Sequence, residues 1–110
     1  MAETKMQELA RKLLANQKRT RLIGKTPVDE GHSGSFRVIF PDVALTISRR
    51  SPSSEESELQ FELMNESGRV IDYLLTSPED SMHSTLSQIF DLAGEHIRET
   101  GISKALEYLK

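Results

Sequence analysis

Between Leu59 and Leu75 the chain reads LQFELM-NESG-RVIDYLL, two runs of strand-forming residues either side of a turn motif. Leu59, Phe61 and Leu63 alternate with Gln60, Glu62 and Met64, the period of two that sends successive side chains to opposite faces of a strand. A hairpin here constrains everything else, because its register decides which apolar side chains share a face and a one-residue slip moves the whole set. With Gly68 left-handed after a type I turn, a three-residue loop with a bulge sets Leu63 opposite Ile71, Phe61 opposite Tyr73 and Leu59 opposite Leu75. A four-residue loop would set Phe61 against Asp72, so the bulged register is expected.

A second hairpin precedes it. Phe36 to Phe40 (FRVIF) and Val43 to Ser48 (VALTIS) flank Pro41-Asp42, and proline cannot take the positive φ of the primed turns. An ordinary type I turn or a slightly longer loop still pairs Phe40 with Val43, Val38 with Leu45 and Phe36 with Ile47. Upstream, Met6, Leu9, Ala10, Leu13 and Leu14 recur at three- and four-residue steps and predict an amphipathic helix from Glu3 to about Gln17. Thr26 to Ser35, with Pro27, Gly31 and Gly34, reads as a loop, and Arg49 to Ser57 as a polar connection. Ser77-Pro78-Glu79-Asp80 is a helix start, with Ser77 as cap and Asp80 in the capping-box position. That helix should run to about Thr100 on a stripe of Met82, Leu86, Ile89, Phe90, Ala93 and Ile97, with Gly101 as its stop. Ser103 would then cap a short terminal helix that turns Ala105, Leu106 and Leu109 inward.

These elements define an α+β fold: an N-terminal helix, a four-stranded, mostly antiparallel meander sheet, a long C-terminal helix and a short terminal one. At 110 residues and 36% hydrophobic, the chain suits one domain. Its parts are a basic helical arm over 1–25, the sheet over 36–75 and the C-terminal helices over 77–110. The expected core face holds Phe36, Val38, Phe40, Val43, Leu45, Ile47, Leu59, Phe61, Leu63, Ile71, Tyr73 and Leu75. The opposite face mixes Ile39, Ala44, Met64, Val70 and Leu74 with Arg37, Thr46, Gln60, Glu62 and Asp72. That is more apolar than a solvated sheet face requires, so a cover is expected: the N-terminal helix, a second copy of the chain or another protein.

Chemistry is sparsely signposted. No cysteine is present, so disulfides and thiolate metal sites are excluded. The three histidines fall in different segments. Asp29, Glu30 and His32 in the loop, and Glu95, His96 and Glu99 on the long helix, are the nearest approach to ligand spacing, and the second group lies on the polar side of its helix. Gly31-His32-Ser33-Gly34-Ser35 superficially matches a nucleophile elbow, yet its second glycine comes one position early and the required strand does not precede it. It also lacks the Gly-Lys-Ser/Thr ending of a phosphate loop. Glu62 and Asp72 are directly opposed on the outer face in the expected register, and such a carboxylate pair can act as acid and base when it lies in a cleft. No catalytic residue, cofactor or metal is assigned.

Charge divides the chain unevenly. Residues 1–25 hold seven Lys/Arg and two acids, a net of +5; residues 26–110 hold seven and fifteen, a net of −8. Lys12, Lys18, Arg19, Arg21 and Lys25 form a basic cluster suited to nucleic acid or another polyanion, without the aromatic residues that stack on bases. The first five residues carry no apolar leader and no window reaches membrane-spanning length, so a cytoplasmic protein is expected. The expected function is that of a homodimeric protein-interaction module, an adaptor or chaperone-like protein. Met6, Leu9, Leu13, Ile39, Met64, Val70 and Leu74 would form its contact, with polyanion binding through the basic arm as the alternative and catalysis by Glu62 and Asp72 as a remote third.

Overall fold

The computed structural model describes residues 3–20, 28–30, 35–49 and 58–110. Its elements in order are α1 (Lys5–Thr20), β1 (Val28–Glu30), β2 (Ser35–Ile39), β3 (Val43–Arg49), β4 (Leu59–Asn65), β5 (Val70–Thr76) and α2 (His83–Tyr108). The α+β arrangement and the antiparallel meander are as the sequence predicts. The meander also gains a short strand at its edge. Val28–Glu30, expected as loop, pairs with β2 through Val28↔Val38, Asp29↔Arg37 and Glu30↔Phe36, because half-buried Val28 joins the apolar cluster beneath the sheet.

α1 begins with a capping box: Thr4 Oγ1 accepts from the Gln7 amide at 3.1 Å and Gln7 Oε1 accepts from the Thr4 amide at 3.0 Å, satisfying two donors that a helix start leaves open. Its Met6, Ala10 and Leu14 are buried in one cluster with Val38, Leu45, Ile47, Leu59 and Phe61 of the sheet and Leu86 and Ile89 of α2. Both helices therefore lie on the same side of the sheet, where α1 touches α2 and β5. The other side carries neither.

The first hairpin has the expected register, Phe36↔Ile47 and Val38↔Leu45, closed by a bond from the Phe40 amide to the Val43 carbonyl at 2.9 Å. The second corrects the sequence reading. Its turn is the bulged one: the Gly68 amide donates to Asn65 O at 3.0 Å, the Asn65 amide to Arg69 O at 2.9 Å, and Gly68 has φ 82°. The Asn65 side chain braces it, its Oδ1 accepting from the amides of Ser67 and Arg69 at 3.0 Å each. Beyond Met64↔Val70, however, a second irregularity shifts the pairing to Leu63↔Asp72, Glu62↔Tyr73, Phe61↔Leu74, Gln60↔Leu75 and Leu59↔Thr76. Ile71, Tyr73 and Leu75, expected in the core, are exposed, and Leu74 packs inward instead. Phe40 is exposed as well, at the sheet's end.

The shifted register turns Thr76 inward, where α2 brings its hydroxyl a partner. This buried hydroxyl lies 3.0 Å from Nδ1 of His83, the first residue of α2, so a polar residue sits inside without an orphaned group. The expected helix start at Ser77 is displaced as well. Asp80 Oδ2 does accept from the Ser77 amide at 2.8 Å, but the contact closes a tight turn, followed by a second from Asp80 O to the His83 amide at 3.1 Å. Two turns fold the chain back over the sheet, where a helix starting at Ser77 would run past its edge.

α2 is a single helix of 26 residues, not two. It continues through Gly101, and the expected terminal helix is its last part. At 3.6 residues per turn the twenty positions from Leu86 to Leu106 make about five and a half turns. Leu106 therefore lies on the far side of the helix from buried Leu86, and Ala105, Leu106 and Leu109, expected inward, are exposed, as is Ile102. The near side is closely fitted. A Cβ on Gly94 would meet Phe36 Cζ at 3.4 Å, Phe36 packs edge-on to Phe90 with centroids 4.9 Å apart, and the Arg49 guanidinium lies 4.8 Å from the Phe90 ring centroid, within cation–π range.

Two substitutions check this architecture. Leu74→Asp places a charge among buried neighbours and should cost at least about 2 kcal/mol, whereas Ile71→Asp should stay within about 0.5 kcal/mol. Urea midpoints with the reverse order would restore the register expected from sequence. Gly101→Ala, in a continuous helix with open space at that Cβ, should stabilise the helix end by about 1 kcal/mol. Slower amide exchange after residue 101 is the readout; faster exchange would indicate a helix that stops at the glycine.

Candidate functional site: the open sheet face

Two rows of side chains dominate the uncovered face. One is apolar, Ile39–Ala44–Met64–Val70 across β2 to β5; the other is polar, Arg37–Thr46–Glu62–Tyr73. Ile39 is 38% exposed, Val70 41%, Tyr73 60% and Leu75 38%. The shifted register of β5 enlarges this patch: it removes Leu74 and Asp72 from the face and supplies Tyr73 and Leu75 to it. Thr46 Oγ1 donates to Met64 Sδ at 3.2 Å, tying the rows together.

Where the tips of both hairpins meet, the face forms a cleft of about 340 Å³ between Arg37, Ile39, Pro41, Ala44, Met64 and Gly68. The Nε of Arg37 is out of contact with water and has no hydrogen-bond partner among the described residues. Neither Arg37 nor Glu62 makes an ion pair among the described residues. They stand two strands apart, about 10 Å at ordinary strand spacing, and make no ion pair with each other. Asp29 stands beside Arg37 in register, at the far end of the polar row.

The structure distributes the seven expected contact residues over two surfaces. Ile39, Met64 and Val70 lie together on the open face, whereas Met6 is buried and Leu9, Leu13 and Leu74 pack against the core. The helical stripe that seemed free for a partner is consumed within the chain, because α1 fills the space beside α2. Glu62 and Asp72 no longer oppose one another: Glu62 pairs with Tyr73 and Asp72 with Leu63, on opposite faces of the sheet. Asp72 instead accepts the amide of Tyr73 at 2.8 Å, occupying a donor of this edge strand.

The remaining candidates do not assemble. Asp29 and Glu30 are successive positions of β1, which alternate between faces, and His32 with the rest of 31–34 lies outside the described residues. Glu95, His96 and Glu99 are on α2, and among the described residues no three potential ligands cluster for a metal. Of the basic cluster, Lys12 lies 3.7 Å from Glu8, Lys18 and Arg19 belong to the end of α1, and Arg21 and Lys25 are outside the described residues. Among the described residues, no helix is long and apolar enough to cross a membrane.

The chain matches no protein-family model, and it has no significant match among curated proteins or solved structures. The reading of the site therefore rests on its own residues.

At the N-terminus, Arg11 donates to Glu3 at 3.0 Å, and this hydrogen bond, with the charge behind it, holds the Glu3 carboxyl below the ordinary glutamate range. A carboxyl depressed in the folded state stabilises it above the ordinary carboxylate pKa, and the contribution is lost as pH falls through the lowered one. Glu3→Gln should thus melt slightly below the parent at neutral pH and coincide with it in acid. A gap that persists in acid would assign the effect to packing instead.

Proposed function

We propose that this chain is a non-enzymatic interaction module whose working surface is the open sheet face, occupied by a second copy of the chain, and that it acts in the cytoplasm as a homodimeric adaptor or chaperone-like protein. The observation that carries the proposal is the exposure of Ile39, Val70, Tyr73 and Leu75 on one face while both described helices lie on the other. An antiparallel sheet may leave one face to water, but that face is then ordinarily polar. A contiguous apolar row on it marks a contact surface. A two-fold dimer buries such a row with the same surface used twice, and two-fold dimers are the commonest soluble oligomers. The absence of cysteine suits a reducing compartment. Separation of Glu62 and Asp72 onto opposite faces weighs against acid–base chemistry by that pair.

Sedimentation equilibrium at micromolar concentration should give a dimer mass for the intact chain and a monomer mass for Met64→Asp/Val70→Asp, with both melting as folded proteins. A monomer mass for the intact chain would sink the proposal. A dimeric double variant would move the contact to the other exposed apolar stripe, Ile102, Leu106 and Leu109.

A further inference from the structure

We infer that the two copies meet face to face with the two-fold axis running along β3, so that Arg37 of each subunit pairs with Glu62 of the other. The inference rests on the homodimer proposed above and specifies its geometry.

Face-to-face packing of two identical sheets puts the two-fold axis in the plane between them. An axis perpendicular to the strands would set each row end against the same strand of the partner. Run along the polar row, it would set Arg37 against Arg37 and Glu62 against Glu62, like charges brought together out of water; run between the rows, it would lay both charges on the partner's apolar row. An axis along the strands exchanges strand for strand while keeping each row opposite its own kind, apolar on apolar and polar on polar. Within that family the charges select the position. Along β2 the arginines meet, and along β4 the glutamates meet. Along β3, β2 of one subunit crosses β4 of the other, so Arg37 meets Glu62 twice, and Ile39 meets Met64 twice.

The register supplies this complementarity directly, since Arg37↔Thr46 and Thr46↔Glu62 place the cation and the carboxylate symmetrically about β3. The same rotation lays Tyr73 across from the position of Asp29. Two further observations point the same way. Arg37 Nε is already shielded from water without a partner among the described residues, a state that costs free energy until an acceptor reaches it. Neither Arg37 nor Glu62 has a partner for its charge within the described chain. Packed sheets cross at about 30°, which keeps the pairs nearest the axis in contact and splays the corners. The central row is therefore where a charge pair orients the dimer most.

The test is a charge exchange followed by sedimentation equilibrium. Arg37→Glu and Glu62→Arg should each raise the dimer dissociation constant at least about tenfold, and the double variant should return to within about threefold of the parent, as for partners that couple directly. Should an exchange variant fail to fold, Arg37→Gln and Glu62→Gln serve instead. Each should weaken the dimer, and the two together should weaken it no more than either alone. A parent that is dimeric, with exchange variants not rescued in combination or glutamine effects that add, would overturn this geometry and leave the homodimer standing. A monomeric parent would remove both.

Discussion

Phe61 and Leu59 are almost wholly out of water, and a strand residue that deep needs neighbours on the same face from both adjacent strands. β3 supplies Ile47 and the stem of Arg49; β5 supplies Leu74 and Thr76. Much of the molecule follows from that second pair. It draws Thr76 inward, ties its hydroxyl to His83 at 3.0 Å, and so fixes where α2 begins and how it crosses the sheet. Truncating a side chain such as Phe61 costs about 3–5 kcal/mol, a large part of the stability of a domain this size.

The same register also decides the surface. A strand has only two faces, so each residue that β5 commits to the core determines what it shows outside. With Leu74 inside, Tyr73 and Leu75 must point outward, and they join Ile39, Met64 and Val70 in a patch that the two helices cannot reach because both are packed on the other side. Core packing and surface exposure are coupled here through pleat geometry. The edge of β5 is blunted separately, by the Asp72 carboxylate on the Tyr73 amide.

α2 carries two apolar stripes, one buried and one exposed. Leu86, Ile89 and Ala93 face the sheet, and beyond Gly101 the stripe reappears half a turn round, on Ile102, Leu106 and Leu109. In the sequence this break in phase looks like two helices with a stop between them. In the structure it is one helix whose final turns extend beyond the packed part of the domain, along a longest molecular dimension of 54 Å. Glycine lowers the stability of a helix interior by about 1 kcal/mol, which discourages continuation without forbidding it.

Local patterns were enough for the α+β class, the first hairpin with its register, the bulged turn at Gly68 and the existence of an apolar stripe on α1, because each depends on residues within a few positions of one another. The capping box Thr4-x-x-Gln7 was equally legible and would have marked the start of α1. Patterns could not decide the pairing of β5, where the doublets Val70-Ile71 and Leu74-Leu75 offer an apolar residue to either face. In the structure Thr76 faces inward against His83, seven residues further on and on a different element. Nor could they show that α1 and α2 share one side of the sheet, since an amphipathic helix states that it has a buried face but not what buries it. The open face, and with it the placing of Arg37 and Glu62 either side of β3, exists only once those long-range contacts are made.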